Sequence, residues 1–203
     1  MNAVQPPERQ VLPAGLTDPV HGTQRSFRVL LDAMARPGRI HELDHVLAAP
    51  PPAPLQPAAA AILMTLCDVD TPVWLSPEAA HVSFYLRFHC GATITADQRE
   101  ASFALVADAP ALPPLRSFEL GSDEYPDRST TLIIQVSSLA AGSGAILTGP
   151  GIHDHVGLTP GGLGAAFWAE RVALQELFPR GLDIVFVCET RVAALPRSTI
   201  VEV

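Results

Sequence analysis

The chain has 203 residues, 48% of them hydrophobic, and a formal net charge of −8. That acidic balance excludes a general nucleic-acid binder, which needs a basic footprint. All 13 basic residues are Arg, which also excludes a pyridoxal-phosphate Schiff-base enzyme and a P-loop, since both need a Lys.

No apolar run approaches the ~18 residues of a membrane span. The apolar excess points instead to a large core and a sticky surface that meets a partner. Cys67, Cys90 and Cys188 are scattered without C-x-x-C spacing and read as buried free thiols. The amino terminus is polar and Pro-rich, unlike a secretory signal, which points to the cytoplasm.

In chain order, residues 1–16 read as a flexible lead-in and residues 17–203 as a single α/β domain. Asp18 as N-cap and Pro19 at the first helical position predict a helix to about Ala35, stopped by Pro37-Gly38. Val20, Phe27, Leu30, Leu31 and Met34 fall on one face of it at helical spacing. Arg25, Arg28, Asp32 and Arg36 fall on another. They suit either an anion or acidic partner, or a solvated face with Arg28–Asp32 and Asp32–Arg36 pairs.

A short strand is expected over 39–43, and the Pro/Ala run 48–57 reads as a stiff surface connection. A helix over 57–66 and a strand over 72–75 follow. Ser76-Pro77-Glu78 opens a helix to Cys90, although Val82, Phe84, Leu86, Phe88 and Cys90 also alternate as a strand would. Residues 102–107 read as a strand and 109–114 as a Pro-rich loop.

The stretch Gly121-Ser-Asp-Glu-Tyr-Pro-Asp-Arg128 is a dense polar loop that feeds a strand over 130–136. That strand is apolar enough to be buried on both faces of a sheet. Function carried on a loop held by a rigid scaffold is one reading. Ordinary turn chemistry with a surface Asp127–Arg128 pair is the other. Residues 145–148 are expected to pair with 130–136 as a hairpin. Thr159-Pro160 is expected to start a helix that ends before Pro179, and 182–188 is another buried strand, completing a crossover. The predicted architecture is α/β, a mixed central β-sheet flanked by helices.

Gly149 and Gly151 follow a strand end and permit a backbone that could cradle an anion, though turns of this composition are common. His153-Asp-His155 offers part of a metal site, or simply surface histidines. Glu170 projects from the apolar stripe Leu163, Ala166, Phe167, Leu174, Leu177 and Phe178, so it must find a cation or donors. Arg180 and Asp183 bracket the entrance of the 182–188 strand as a plausible ion pair. No nucleophile–base pairing is visible close in sequence.

Five stretches in register resemble the H-subunit family (PhnH) of the bacterial carbon–phosphorus lyase system. They are Phe27-Arg-Val-Leu-Leu-Asp-Ala-Met-Ala-Arg-Pro-Gly38, Glu124-Tyr-Pro-Asp-Arg-Ser-Thr-Thr-Leu-Ile133, Leu147-Thr-Gly-Pro-Gly-Ile152, Phe178-Pro-Arg-Gly181 with Asp183, and Ala194-Leu-Pro-Arg-Ser-Thr199. The resemblance implies a subunit of the phosphonate-degrading complex. There it supports replacement of the adenine of ATP by an alkylphosphonate, giving a ribose 1-phosphonate 5-triphosphate. It also implies a fold like the large domain of pyridoxal-phosphate transferases without the cofactor site, and no cofactor of its own. The implied partners are a second copy, as a homodimer, and the G, I and J subunits.

The resemblance carries no catalytic residue onto this chain. Glu124, Tyr125, Asp127, Arg128, Gly149, Gly151, Arg180 and Asp183 are the candidate binding or partner-contact residues. Two other functions stay open on the residues alone. One is a metal enzyme using His153, His155 and Asp127. The other is a phosphate- or phosphonate-binding module using Arg128, Arg180 and the Gly149–Gly151 turn.

Overall fold

The structure, a computed structural model, describes residues 12–203. Asp18 caps the first helix, its carboxylate accepting from the Val20 and His21 N–H groups, and α1 runs Pro19–Ala35. Then come β1 (His41–Glu42), α2 (Pro57–Leu66), β2 (Val73–Leu75) and a 3-10 turn (Pro77–Val82) that runs into α3 (Ser83–Cys90). β3 (Ile94–Thr95), β4 (Phe103–Val106), β5 (Thr131–Gln135), β6 (Leu139–Thr148) and β7 (Val156–Pro160) follow. α4 (Ala165–Gln175), β8 (Asp183–Cys188), β9 (Arg191–Leu195) and β10 (Ile200–Glu202) complete the order.

The main sheet has seven strands in the order β1-β9-β8-β5-β4-β2-β3. β3, β2, β4, β5 and β8 are mutually parallel, and β9 runs antiparallel to both β8 and β1. β5 therefore lies at the centre, and its side chains alternate between two cores. Ile133 faces a core built from α1, α2 and α3, with Leu30, Ala58, Leu63 and Leu86. Leu132 and Ile134 face a second core with Phe167 and Leu174 of α4 and Leu147 and Leu158 of the β6–β7 pair. A strand covered on both sides reads as an unbroken apolar run, as this one does.

The second face departs from a plain helix-flanked sheet. β10, β6 and β7 form a separate three-stranded antiparallel sheet packed beside α4. The expected hairpin between 130–136 and 145–148 is accordingly absent. Both edges of β5 are taken by β4 and β8, so β6 pairs with β7 and β10 instead. Thr159-Pro160 ends β7 rather than starting a helix, and α4 begins only after the Gly164 cap. β5, α4 and β8 do form a parallel strand–helix–strand unit. Residues 78–90 are helical, and the alternation within them is not strand.

Two local expectations also change. The buried face of α1 carries Gly22, Ser26, Leu30 and Ala33, whereas Val20, Phe27 and Leu31 are exposed. Small residues let α1 approach the Ala-rich α2 closely, and the Ser26 hydroxyl is satisfied by the Gly22 carbonyl at 2.8 Å. Of the expected lead-in, residues 1–11 lie outside the described residues. Residues 12–16 are tied down, with Ala48 N–H donating to the Gly15 carbonyl at 2.8 Å and Leu16 bridging Leu47.

Candidate functional site: a loop cluster around Arg197

Thr131 and Asp183, the first residues of β5 and β8, are paired across the sheet. Arg197 sits against this edge and gathers it. Its backbone N–H donates to Asp183 Oδ1 at 2.8 Å, and its Nε reaches both carboxylate oxygens at 3.2 Å. Its Nη1 donates to the Pro126 carbonyl, fixing the 121–128 loop from below. Asp183 and Arg197 are 18% and 16% exposed, so this charge-assisted pair is well shielded from water.

The five stretches that carry the resemblance converge here. Gly38 N–H donates to the Ala194 carbonyl at 3.1 Å, joining the end of α1 to β9. Gly181 N–H donates to the Leu120 carbonyl at 2.9 Å, joining the 178–183 loop to the polar loop. Gly151 has φ +82°, and a Cβ there would run into the Ala35 carbonyl oxygen. A Cβ on Gly149 would lie 3.2 Å from the Ser198 carbonyl oxygen. The Gly149–Gly151 turn is thus wedged between α1 and the 196–199 turn, so its glycines serve close backbone packing.

Arg180 and Asp183 do not pair with each other. Arg180 Nε lies 3.0 Å from Asp123 Oδ1, a contact at which Asp123 is 85% exposed. Asp127 and Arg128 form no ion pair among the described residues. Arg128 instead stacks its guanidinium 4.0 Å over the Tyr125 ring. Glu124, Tyr125, Asp127 and Phe178 are exposed on the same pair of loops. The arrangement is a hydrogen-bonded, largely shielded anchor that presents aromatic and charged side chains to the outside. That composition suits recognition of a protein surface.

The anion-cradle residues are therefore engaged elsewhere: Arg180 with Asp123, Arg128 with Tyr125, and the Gly149–Gly151 turn with the end of α1. His153, Asp154 and His155 line a cavity of about 280 Å³ together with Arg39, a cation poorly placed beside a metal. Asp127 does not line it. Among the described residues no three His, Cys, Asp or Glu side chains are grouped to hold a metal ion. On α1, Asp32 pairs with Arg36 and Arg25 with Asp44, leaving Arg28 outside both pairs.

Arg197 and Arg171 were not singled out from the sequence. Phe167 and Leu174 of the expected stripe of α4 are buried, and Arg171 rather than Glu170 is the charge buried between them. Glu170 is only half-buried and accepts from the Leu115 N–H at 2.6 Å. Arg171 is the fully buried charge, donating to the carbonyls of Pro196 at 2.9 Å and Thr199 at 2.8 Å. It thereby holds the turn that carries Arg197. Burial brings its pKa down to about 10, against the opposing pull of Asp183. The spacing 167, 171, 174 is itself helical, so the signal was present, masked by the alternative spacing through 170.

Comparison with known proteins bears on the family of the chain. Residues 14–202 match the family model of the bacterial phosphonate metabolism protein PhnH. The chain is 43% identical over 197 residues to the PhnH subunit of alpha-D-ribose 1-methylphosphonate 5-triphosphate synthase of Rhizobium meliloti (strain 1021), covering 96% of this chain and 98% of that protein. It is 32% identical over 178 residues to HtxG of Stutzerimonas stutzeri, which carries the provisional description C-P lyase subunit protein, covering 87% of this chain and 84% of that one. With nearly its whole length matched, the chain belongs to the PhnH family of bacterial phosphonate metabolism proteins.

Proposed function

We propose that this chain is the H-type subunit of the carbon–phosphorus lyase core complex. It would support transfer of the ribose triphosphate moiety of ATP to an alkylphosphonate, and its own contribution is assembly rather than chemistry. The observation that carries this reading is the Arg197-centred anchor beneath the exposed 121–128 and 178–181 loops. Tyr125, 42% exposed, and Phe178, 61% exposed, are the aromatic contacts that such a surface offers. The 43% identity to a synthase subunit over almost the full chain supports the same function.

On this reading residues 17–203 act as one domain, in the cytoplasm, and the partners are a second copy and the G, I and J subunits. The mixed seven-stranded sheet, with helices on one face and α4 on the other, supports kinship with the large domain of pyridoxal-phosphate transferases. Val20, Phe27 and Leu31 of α1, with Phe84 and Phe88 of α3, remain uncovered, which supports contact beyond the loop cluster. Native mass spectrometry of the chain, alone and co-expressed with G, I and J subunits, tests the reading. A homodimer that joins a stable complex is expected. A chain that stays apart from all three subunits overturns it.

A further inference from the structure

At the opposite end of β5 from the loop cluster, a crevice opens outside the carboxyl ends of β4 and β5. The chain passes from β2 to β3, then back across β2 to β4 and on to β5 and β8. The direction of progression reverses between β2 and β4, the place where open α/β sheets hold their ligands. The gap at that point is closed by Ser76, whose hydroxyl oxygen accepts from the Ala107 N–H at 3.1 Å. The opening lies one strand further along, a cavity of about 230 Å³ lined by Gln56, Asp108, Pro110, Gln135, Ser137 and Gly162. It adjoins a groove of about 270 Å³ that shares Pro110 and Gly162 and reaches Leu115, Phe167 and Glu170.

The floor is held rigid. Gln135, 3% exposed at the end of β5, donates to the carbonyls of Pro54 at 2.9 Å and Ala107 at 3.3 Å. Its Oε1 accepts from the Gln56 N–H at 2.7 Å, and Gln56 Oε1 accepts from the Glu189 N–H at 2.9 Å. Above this floor, the Asp108 carboxylate and the Ser137 hydroxyl are exposed, and Asp108 makes no capping hydrogen bond to the turn it precedes. A preorganised floor beneath exposed polar groups is what a binding site requires.

The lining decides the ligand class. Neither cavity is lined by Arg or His, and Asp108 and Glu170 supply carboxylates. Phosphate and phosphonate groups are repelled there. With the Gln135 amide and the Gln56 Oε1 engaged in the floor, the groups left beside Asp108 are the Gln56 Nε2, which donates, and the Ser137 hydroxyl, which both donates and accepts, as sugar hydroxyls do. Pro110, Leu115 and Phe167 offer an apolar wall to the C–H face of a ring. We propose that this crevice binds a neutral polyhydroxylated molecule, or the sugar portion of a larger one, with Asp108 accepting from its hydroxyls. The proposal goes beyond the subunit reading and does not rest on the loop cluster.

The test is amide NMR of the full chain titrated with D-ribose as the neutral probe. Inorganic triphosphate and methylammonium serve as anionic and cationic comparisons. Saturable shifts at Ala107, Asp108, Ser137 and Gly162 are expected with ribose alone. Asp108→Ala, an exposed position, is expected to weaken that binding about tenfold while leaving the thermal midpoint in place. Ser137→Ala is expected to weaken it less. Absence of saturable shifts at these amides, or stronger shifts there with triphosphate or methylammonium, overturns the proposal. So does unchanged ribose binding in both variants.

Discussion

Asp183 and Arg197, at the entrance of β8 and just past the end of β9, form the shielded ion pair on which the polar loop rests. Arg180 and Asp123, a few residues away on the same loops, form an exposed one. The two pairs differ in solvent screening and in the number of hydrogen bonds, so their removal has different costs. Asp183→Ala is expected to destabilise the fold by about 1.5–3 kcal/mol, because it strands several charge-assisted donors of Arg197. Arg180→Ala is expected to change stability by no more than about 0.5 kcal/mol. Urea denaturation of both variants measures the contrast, and equal losses would contradict the assignment of Arg197 as the anchor.

Phe178→Ala and Tyr125→Ala are expected to leave the urea midpoint nearly unchanged, since both side chains are exposed in the free chain. Each is expected to weaken association with partner subunits by about tenfold or more, as buried aromatic contacts at interfaces do. Affinity of the co-purified subunits, measured by biolayer interferometry, reads this directly. Undiminished binding in the double variant would remove these loops from the interface.

Arg171→Met keeps the bulk of a buried side chain but withdraws the donors from the Pro196 and Thr199 carbonyls. A loss of about 1–3 kcal/mol is expected from the unsatisfied carbonyls, partly offset by removal of the buried charge. Amide exchange should accelerate in the 196–199 turn and in the 121–128 loop together. Acceleration confined to α4 would show that Arg171 does not hold the loop through Arg197.

His41 carries a pH dependence. Its pKa is pushed below the usual 6.5, first by burial and then by Arg36 and Arg39; its Nδ1 lies 3.3 Å from the Asp32 carboxylate, and its Nε2 is buried without a partner among the described residues. The unfolded chain therefore takes up a proton near pH 6.5 while the folded chain resists it. The stabilising contribution is complete above that value and is lost as pH falls toward the depressed folded pKa. His41→Gln should flatten the decline of stability between about pH 7 and pH 5. An unchanged slope in the variant would place the proton uptake elsewhere.

The thiols should be inert in the native state. Cys67 and Cys188 are buried and Cys90 is half-buried, and all are free. Burial pushes the Cys67 thiol strongly up and raises Cys90 as well. Slow reaction with a thiol reagent is expected in buffer, with Cys90 first, and rapid reaction of all three in denaturant. Rapid native labelling of Cys67 would contradict its burial.

Much of this was legible in the sequence. Asp18-Pro19 set the start of α1, the apolar run before Gln135 marked the central strand, and Pro57 opened α2, because caps, prolines and β-branched runs act within a few residues. The short strands β3, β7, β9 and β10 were not legible, since two to five residues carry too little period to distinguish from loop. The buried face of α1 was misread for a related reason. A helix can bury small residues against an Ala-rich neighbour while its large apolar residues stay outside.

By itself, then, the sequence determined the types of the longer elements, the doubly buried character of β5 and the family. Only the tertiary structure decided which Arg meets which acid, which strand β6 joins and which residue of α4 is buried. Arg197 reaches Pro126 across 71 residues and Asp183 across 14. Every Arg carries the same local signature, so its partner is chosen by the folded geometry alone, where burial and competing hydrogen bonds separate Asp183–Arg197 from Arg180–Asp123.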